Sequence, residues 1–309
     1  MRDAFIDCLV ELAEVRDDVF LITGDLGFGV LDEYAERFPG QYLNVGVAEQ
    51  NMTGVAAGLA LEGFRVFTYS IANFTTLRCL EQIRNDVCYH DASVTVVSVG
   101  GGFGYGALGM SHHATEDLSI MRAMPQIKIM VPGDDYETVE STKYLAEQTG
   151  PSYLRLERGS VKLAAVEESN FNYGKARLLR PGSSLTVFCS GGLTEIAVEV
   201  ADKLLKLDIT LRVHSVSALK VMDVQAIRDA AEQTHGIITL EENTLLGGLG
   251  SAIAEVCMDE GIAPKTFKRL GLGDTFSSVV GSQDYLRHFY GIGAASLEKT
   301  VTTILGGVK

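Results

Sequence analysis

Short apolar runs without polar alternation recur along this chain, and helical spacing separates them. Val19-Phe20-Leu21-Ile22-Thr23 and Val94-Thr95-Val96-Val97-Ser98-Val99 are the clearest. A strand that is apolar on both sides must be covered on both faces. A parallel sheet flanked by crossover helices does this. Helical spacing over 3–14 precedes the first strand at 19–23. Helices near 31–38, from Glu49 onward, near 75–89, at 116–123 and near 135–148 then alternate with strands at 42–45, 65–69, 94–99, 128–131 and 153–156. The stretch from Ala164 to Pro181 is mixed, polar and proline-punctuated, and reads as a linker. Strands at 184–189, 209–213 and 236–240 follow it, with Glu241-Glu242-Asn243 at the end of the last and Gly247-Gly248-Leu249-Gly250-Ser251 opening a helix. The expected fold class is α/β, with two doubly wound domains over 1–165 and 184–309 and a linker at 166–183.

At 309 residues, two domains are the default expectation. The formal net charge of −14 argues against a nucleic-acid or anionic-membrane partner, because neither attracts an acidic surface. A small anion held by local arginines remains open. Cys8, Cys79, Cys88, Cys189 and Cys257 are scattered and odd in number, which suits small core residues in a reducing compartment. Acids at Asp3 and Asp7 do not suit a secretory leader, and no apolar run approaches a membrane span, so the expectation is a cytoplasmic protein. The sequon matches at Asn51 and Asn73 are then chance.

Glu49 carries the most chemical information. It lies in Asn44-Val45-Gly46-Val47-Ala48-Glu49-Gln50-Asn51-Met52, at the mouth of a helix that continues as Thr53-Gly54-Val55-Ala56-Ala57-Gly58-Leu59-Ala60. Burying a carboxylate in apolar surroundings is costly unless it is paired or used. A helix with so little side-chain bulk packs closely against a neighbour or a ligand. An ordinary buried helix with a capped glutamate would produce the same string.

The glycine loop Gly100-Gly101-Gly102-Phe103-Gly104-Tyr105-Gly106-Ala107-Leu108-Gly109-Met110-Ser111-His112-His113 follows a strand end, where α/β sheets place ligands. Gly104 to Gly109 matches G-x-G-x-x-G, with Asp134 a candidate ribose-binding acid, so a dinucleotide site is a rival reading. Residues intervene between this motif and both the strand and the helix, which weakens it. Adjacent His112 and His113 point opposite ways from an extended segment, so one at most faces a pocket.

Taken in order, the Glu49 segment, Glu81-Gln82-Ile83-Arg84-Asn85, the Ser-His loop with Glu116 and Arg122, Val131-Pro132-Gly133-Asp134, and Glu241-Glu242 with Gly247 to Ala252 make the chain resemble the carboxy-terminal half of transketolase. It is most similar to the separate small subunit of split transketolases, which use thiamine diphosphate. The resemblance implies that Glu49 bonds N1′ of the cofactor's aminopyrimidine, the contact that lets that ring deprotonate the thiazolium. It implies that Phe74 stacks on the pyrimidine, with Ile71 and Leu77 where further aromatics are usual. His112 would reach substrate hydroxyls and shuttle protons, with His113 beside it, and Arg158 and Arg2 would bind a sugar phosphate. Without the family, Arg158 could be a surface partner of Glu157, Arg2 a frayed end, and His214 and Glu242 structural.

Related enzymes hold the diphosphate through Mg²⁺ with Gly-Asp-Gly and a later Asn. That string does not occur here, and Gly24-Asp25-Leu26-Gly27 is the nearest. The resemblance therefore implies that no metal ligand comes from this chain. A partner, the amino-terminal transketolase subunit, would supply the Mg²⁺ site in an α₂β₂ assembly with self-association of this chain. The implied reaction moves a two-carbon ketol unit from a ketose donor to an aldehyde or ketone sugar. A β subunit of a 2-oxoacid dehydrogenase is the alternative enzyme. Ala107-Leu108-Gly109-Met110 lacks the usual acid of this loop, and Gly100, Gly101 and Gly102 stand where polar residues are usual. A roomier site that rewards fewer hydroxyls, and so an unusual acceptor, is the expectation.

Overall fold

The apolar runs pair side by side, as strands buried on both faces must. In this computed structural model, which describes residues 1–163 and 171–307, the chain opens with α1 (Arg2–Val15), β1 (Val19–Thr23), α2 (Asp32–Arg37), β2 (Tyr42–Asn44), α3 (Glu49–Leu61) and β3 (Arg65–Ile71). It continues through α4 (Ala72–Thr76), α5 (Leu80–Gln82), β4 (Val94–Val99), α6 (Asp117–Ala123), β5 (Lys128–Met130), α7 (Asp135–Glu147) and β6 (Ser152–Leu156). The six strands form one sheet in the order β2-β1-β3-β4-β6-β5, with every neighbouring pair parallel. The chain leaves β1 for β2 on one side and returns to β3 on the other. That reversal opens a crevice beyond the carboxyl ends of β1 and β3, where such sheets bind ligands.

A second sheet contains β7 (Arg177–Arg180), β8 (Leu185–Cys189), β9 (Leu211–Ser215), β10 (Ile237–Thr244) and β11 (Phe267–Leu272), in the order β11-β10-β8-β9-β7. Helices α8 (Leu193–Leu205), α9 (Val224–Gln233), α10 (Leu249–Asp259), α11 (Gln283–Phe289) and α12 (Ala294–Gly306) accompany it. All its pairings are parallel except β7 with β9. The expected linker at 166–183 is thus corrected over its second half, where Arg177–Arg180 is an edge strand. Its exposure is mixed and Pro181 follows it, so it lacks the fully apolar look of a central strand. The expected boundary at 165 and linker residues 166–170 lie outside the described residues.

The helix expected over 75–89 is also corrected. It is three pieces, α4, α5 and a π-helical turn over Ile83–Cys88. Thr76 Oγ1 bonds back to the Ala72 carbonyl at 2.6 Å, and such side-chain competition bends helices. The break sets Phe74 on its own short helix at the end of β3. One apolar cluster joins Ile129, Val131 and Tyr153 of the first sheet to Phe188, Val216 and Leu219 of the second. Each fully buried side chain of this kind contributes roughly 1.5–3 kcal/mol, so the two sheets are held by a common core.

Candidate active site

Glu49 is the first residue of α3, and its side chain is only 3% exposed. The chain turns into this helix through Gly46, whose φ of +74° suits a residue without Cβ. Gly24, just past β1, lies against the carboxylate stem: a Cβ there would be 3.5 Å from Glu49 Cγ. Among the described residues the carboxylate has one ion-pair partner, Arg78, whose Nη1 donates to Glu49 Oε2 at 2.6 Å. The Arg78 side chain is 45% exposed, so the pair joins a buried acid to a solvent-reaching cation.

From Arg78 an unbroken row of contacts runs along the crevice. The Arg78 guanidinium lies over the Phe74 ring at 4.5 Å, a cation–π contact. Phe74 meets the His112 ring at 5.0 Å, and His112 lies 6.4 Å from Tyr105. Arg158 caps the row with its guanidinium 4.5 Å over Tyr105 and Nη1 donating to the Gly104 carbonyl at 3.2 Å. Asn73 Nδ2 donates to the Ser111 carbonyl at 2.6 Å, tying the Phe74 helix to the histidine loop. Ser111 Oγ lies 3.0 Å from His112 Nδ1. Burial pushes the Tyr105 phenol up, and the positive charges of Arg158 and Arg2 oppose that rise. Arg2 is therefore within electrostatic reach of this end, where it is ordered as the first residue of α1. Ile71 is half-buried at the end of β3, and Leu77, 43% exposed, sits on the rim just after α4.

Three expectations change here. His113 does not join the row: it is buried, with Nε2 at 3.2 Å from the Gly106 carbonyl and its ring edge-on to Phe103. The two histidines do diverge, and His112 takes the crevice side. Arg158 does not pair with Glu157, whose carboxylate accepts from Gln283 and the Gly192 amide and lies 3.6 Å from Arg287. Gly100, Gly101 and Gly102 do not enlarge the site. Their missing side chains leave space already filled: a Cβ would stand 2.4 Å from Tyr105, 1.8 Å from Arg155 Nε and 2.5 Å from Glu242 Oε1, respectively.

The loop is braced from below. Gly102 and Ala114 exchange backbone bonds at 2.7 and 2.9 Å. Glu242 accepts from the Phe103 amide at 2.6 Å and from Arg287 Nε at 2.5 Å, with both side chains buried. Its neighbour Glu241 instead accepts from Leu249 and Gly250 at the start of α10, and burial pushes it up to about 7. Arg155 Nε lies 3.1 Å from Asp117, whose carboxylate also accepts from the Tyr153 hydroxyl at 2.6 Å. The dinucleotide reading fails on geometry. Gly104 to Gly109 runs through short 3₁₀ turns and not into an α-helix, and Asp134 caps α7 while pairing with Arg177 at 2.7 Å. Among the described residues, no group of three or more His, Cys, Asp or Glu side chains could hold a metal ion.

Sequence reasoning missed Arg78 and Tyr105. Arg78 follows Phe74 by four residues, the spacing of neighbours on one helical face, and that was its only signal. Tyr105 is one of two large aromatics in the glycine loop.

The sequence matches two family models: the transketolase pyrimidine-binding domain over residues 1–163 and the transketolase carboxy-terminal domain over 174–297. One of the two chains of the apulose-4-phosphate transketolase of Phocaeicola vulgatus is 35% identical over 97% of this chain and 95% of its own length. The SqwH chain of the 6-deoxy-6-sulfo-D-fructose transketolase of Clostridium sp. strain MSTE9 is 34% identical over 96% of this chain and 92% of its own. A solved structure described as a split gene transketolase, inactive β4 tetramer, superposes with a TM-score of 0.87 at 33% identity, covering 99% of this chain and 97% of that one. A row built from a buried acid, an aromatic and a histidine at the carboxyl ends of a parallel sheet thus belongs to a pyrimidine-binding fold. The chain belongs to the transketolase family, and within it to the carboxy-terminal subunits of split transketolases.

Proposed function

We propose that this chain is the pyrimidine-holding subunit of a two-chain transketolase, passing a two-carbon ketol unit from a ketose donor to an aldehyde or ketone sugar acceptor. The observation that carries this reading is the row from Glu49 through Phe74 and His112 to Arg158, four residues expected from sequence and now contiguous through Arg78 and Tyr105. The chain's residues fit the pyrimidine end of thiamine diphosphate. Glu49 offers a buried carboxylate to a ring nitrogen, and Phe74, Ile71 and Leu77 offer it an apolar bed. When bound, the cofactor supplies the nucleophilic carbon that the side chains of this protein do not possess.

In this reading, Glu49 holds a proton at the ring nitrogen, His112 moves protons to and from substrate hydroxyls, and Arg158 with Arg2 grips an anionic tail beside Tyr105. His113 serves the loop and not the substrate. The amino-terminal subunit, with Gly-Asp-Gly and a later Asn, would bind the diphosphate and Mg²⁺ in an α₂β₂ assembly. The small exposed face of α3, where Gly54 and Gly58 have open space around them, suits close packing in that assembly. The cytoplasm is the expected compartment; no described helix is long and apolar enough to cross a membrane. The named relatives favour the transketolase reading over a 2-oxoacid dehydrogenase β subunit. Both relatives are named for sugars outside the common set, one a phosphate and one a sulfonate. An acceptor of unusual shape with an anionic end suits exposed Leu108 and Met110 opposite Arg158.

The test is reconstitution. This subunit is mixed with its partner, thiamine diphosphate and Mg²⁺, and ketol transfer is measured against each chain alone. Activity that requires both chains is the expected result. Full activity from this chain alone, or pyruvate decarboxylation in place of ketol transfer, would overturn the reading.

A further inference from the structure

We infer that Arg78 is a placeholder: it occupies the pyrimidine seat while the site is empty and must leave when the cofactor's ring arrives. This rests on the thiamine diphosphate reading above and assigns Arg78 a positioning role within it. One guanidinium makes two contacts, at 2.6 Å to Glu49 Oε2 and at 4.5 Å over the Phe74 ring. Those are the carboxylate oxygen and the aromatic face that a flat, nitrogen-bearing ring would use. A second planar group cannot stack on that face or bond that oxygen while the first is there.

The reason for such a device is electrostatic. Glu49 is 3% exposed, and a buried carboxylate without a partner is strongly disfavoured. Arg78 meets that need without the cost of a permanent buried pair, because 45% of its side chain already reaches solvent. Its departure needs only rotation of a long side chain into water. The contacts it breaks are those of a half-exposed ion pair and an exposed cation–π pair. They reduce apparent affinity for the ring, as any competing conformation does. A positioned cation also keeps the acid oriented and ready between loadings.

The test is calorimetric titration of the reconstituted complex with thiamine diphosphate at fixed Mg²⁺, for wild type, Arg78→Ala, Arg78→Lys, Glu49→Gln and the Glu49→Gln/Arg78→Ala pair. Removing the competitor should lower the dissociation constant of Arg78→Ala about tenfold, while the unloaded complex melts at a lower temperature. Arg78→Lys, which keeps the charge but not the planar fork, should fall between. With Glu49 already neutralised as glutamine, removing Arg78 should improve binding only about threefold, the share of the aromatic contact. If Arg78→Ala weakens or does not change cofactor binding while wild type binds normally, Arg78 is a ligand-holding group or a bystander, and this inference alone is overturned. If the wild-type complex does not bind thiamine diphosphate, both this inference and the proposed function fall.

Discussion

Replacing Glu242 by alanine should destabilise the chain more than any change at a surface ion pair, and the size follows from its contacts. Glu242 is 4% exposed and accepts from the Phe103 amide at 2.6 Å, Arg287 Nε at 2.5 Å and Gln283 Nε2 at 3.0 Å. Burial pushes its carboxyl up, and Arg287 pulls it back. Breaking a buried pair from one side costs roughly 3–5 kcal/mol, because the other charge stays buried. An unsatisfied buried amide at Phe103 adds about 1–3 kcal/mol. Arg287 keeps Glu157 at 3.6 Å, which offsets part of that sum. The expected loss is about 4 kcal/mol, seen as a fall of roughly 1 M in the urea midpoint by circular dichroism. Glu255→Ala is the control: Glu255 is 58% exposed opposite Arg122, and such pairs contribute at most about 1 kcal/mol. Because Glu242 anchors the loop two residues before Tyr105, Glu242→Ala should also loosen the substrate end of the row. Equal midpoints for the two variants would refute the claim that this buried network braces the loop.

Two further outcomes follow from the same physics. Burial lowers the His214 pKa to about 4, so an unfolded chain binds a proton between pH 6.5 and 4 that the native chain does not. Stability should therefore drop by about 3 kcal/mol as pH falls through that window, and His214→Leu should flatten this part of the urea-stability profile. Arg158→Ala should raise KM about tenfold for a phosphorylated acceptor and leave KM for its unphosphorylated analogue nearly unchanged, because a charge-assisted bond to the anion is lost. An equal rise for both acceptors would show that Arg158 holds the loop and not the phosphate.

The central strands were legible because their burial leaves a local mark, an apolar run of five or six residues. Edge strand β7 leaves no such mark: its exposure is mixed, and its partner β9 lies more than thirty residues away. Glu49 was legible because an acid stands out among valines, glycines and alanines. Its partner was not, because a half-exposed arginine on a broken helix looks like any surface cation. Gly100 to Gly102 misled in an instructive way. Absent side chains read locally as empty space, but that space is taken by Arg155 and Glu242, side chains far along the chain. The helix over 75–89 kept its periodicity in sequence although hydrogen bonds at Thr76 break it. Divergence of His112 and His113 was legible from alternation, but which one faced the crevice depended on Phe103 and the Gly106 carbonyl.

The most direct measurement is the exchange rate of the thiamine diphosphate C2 hydrogen in assembled complex carrying Glu49→Gln, with cofactor occupancy checked in the same sample. Glutamine preserves shape but cannot exchange a proton with the ring nitrogen, so exchange should slow by about a hundredfold or more. Exchange at the wild-type rate, with the cofactor fully bound, would contradict the assignment of Glu49.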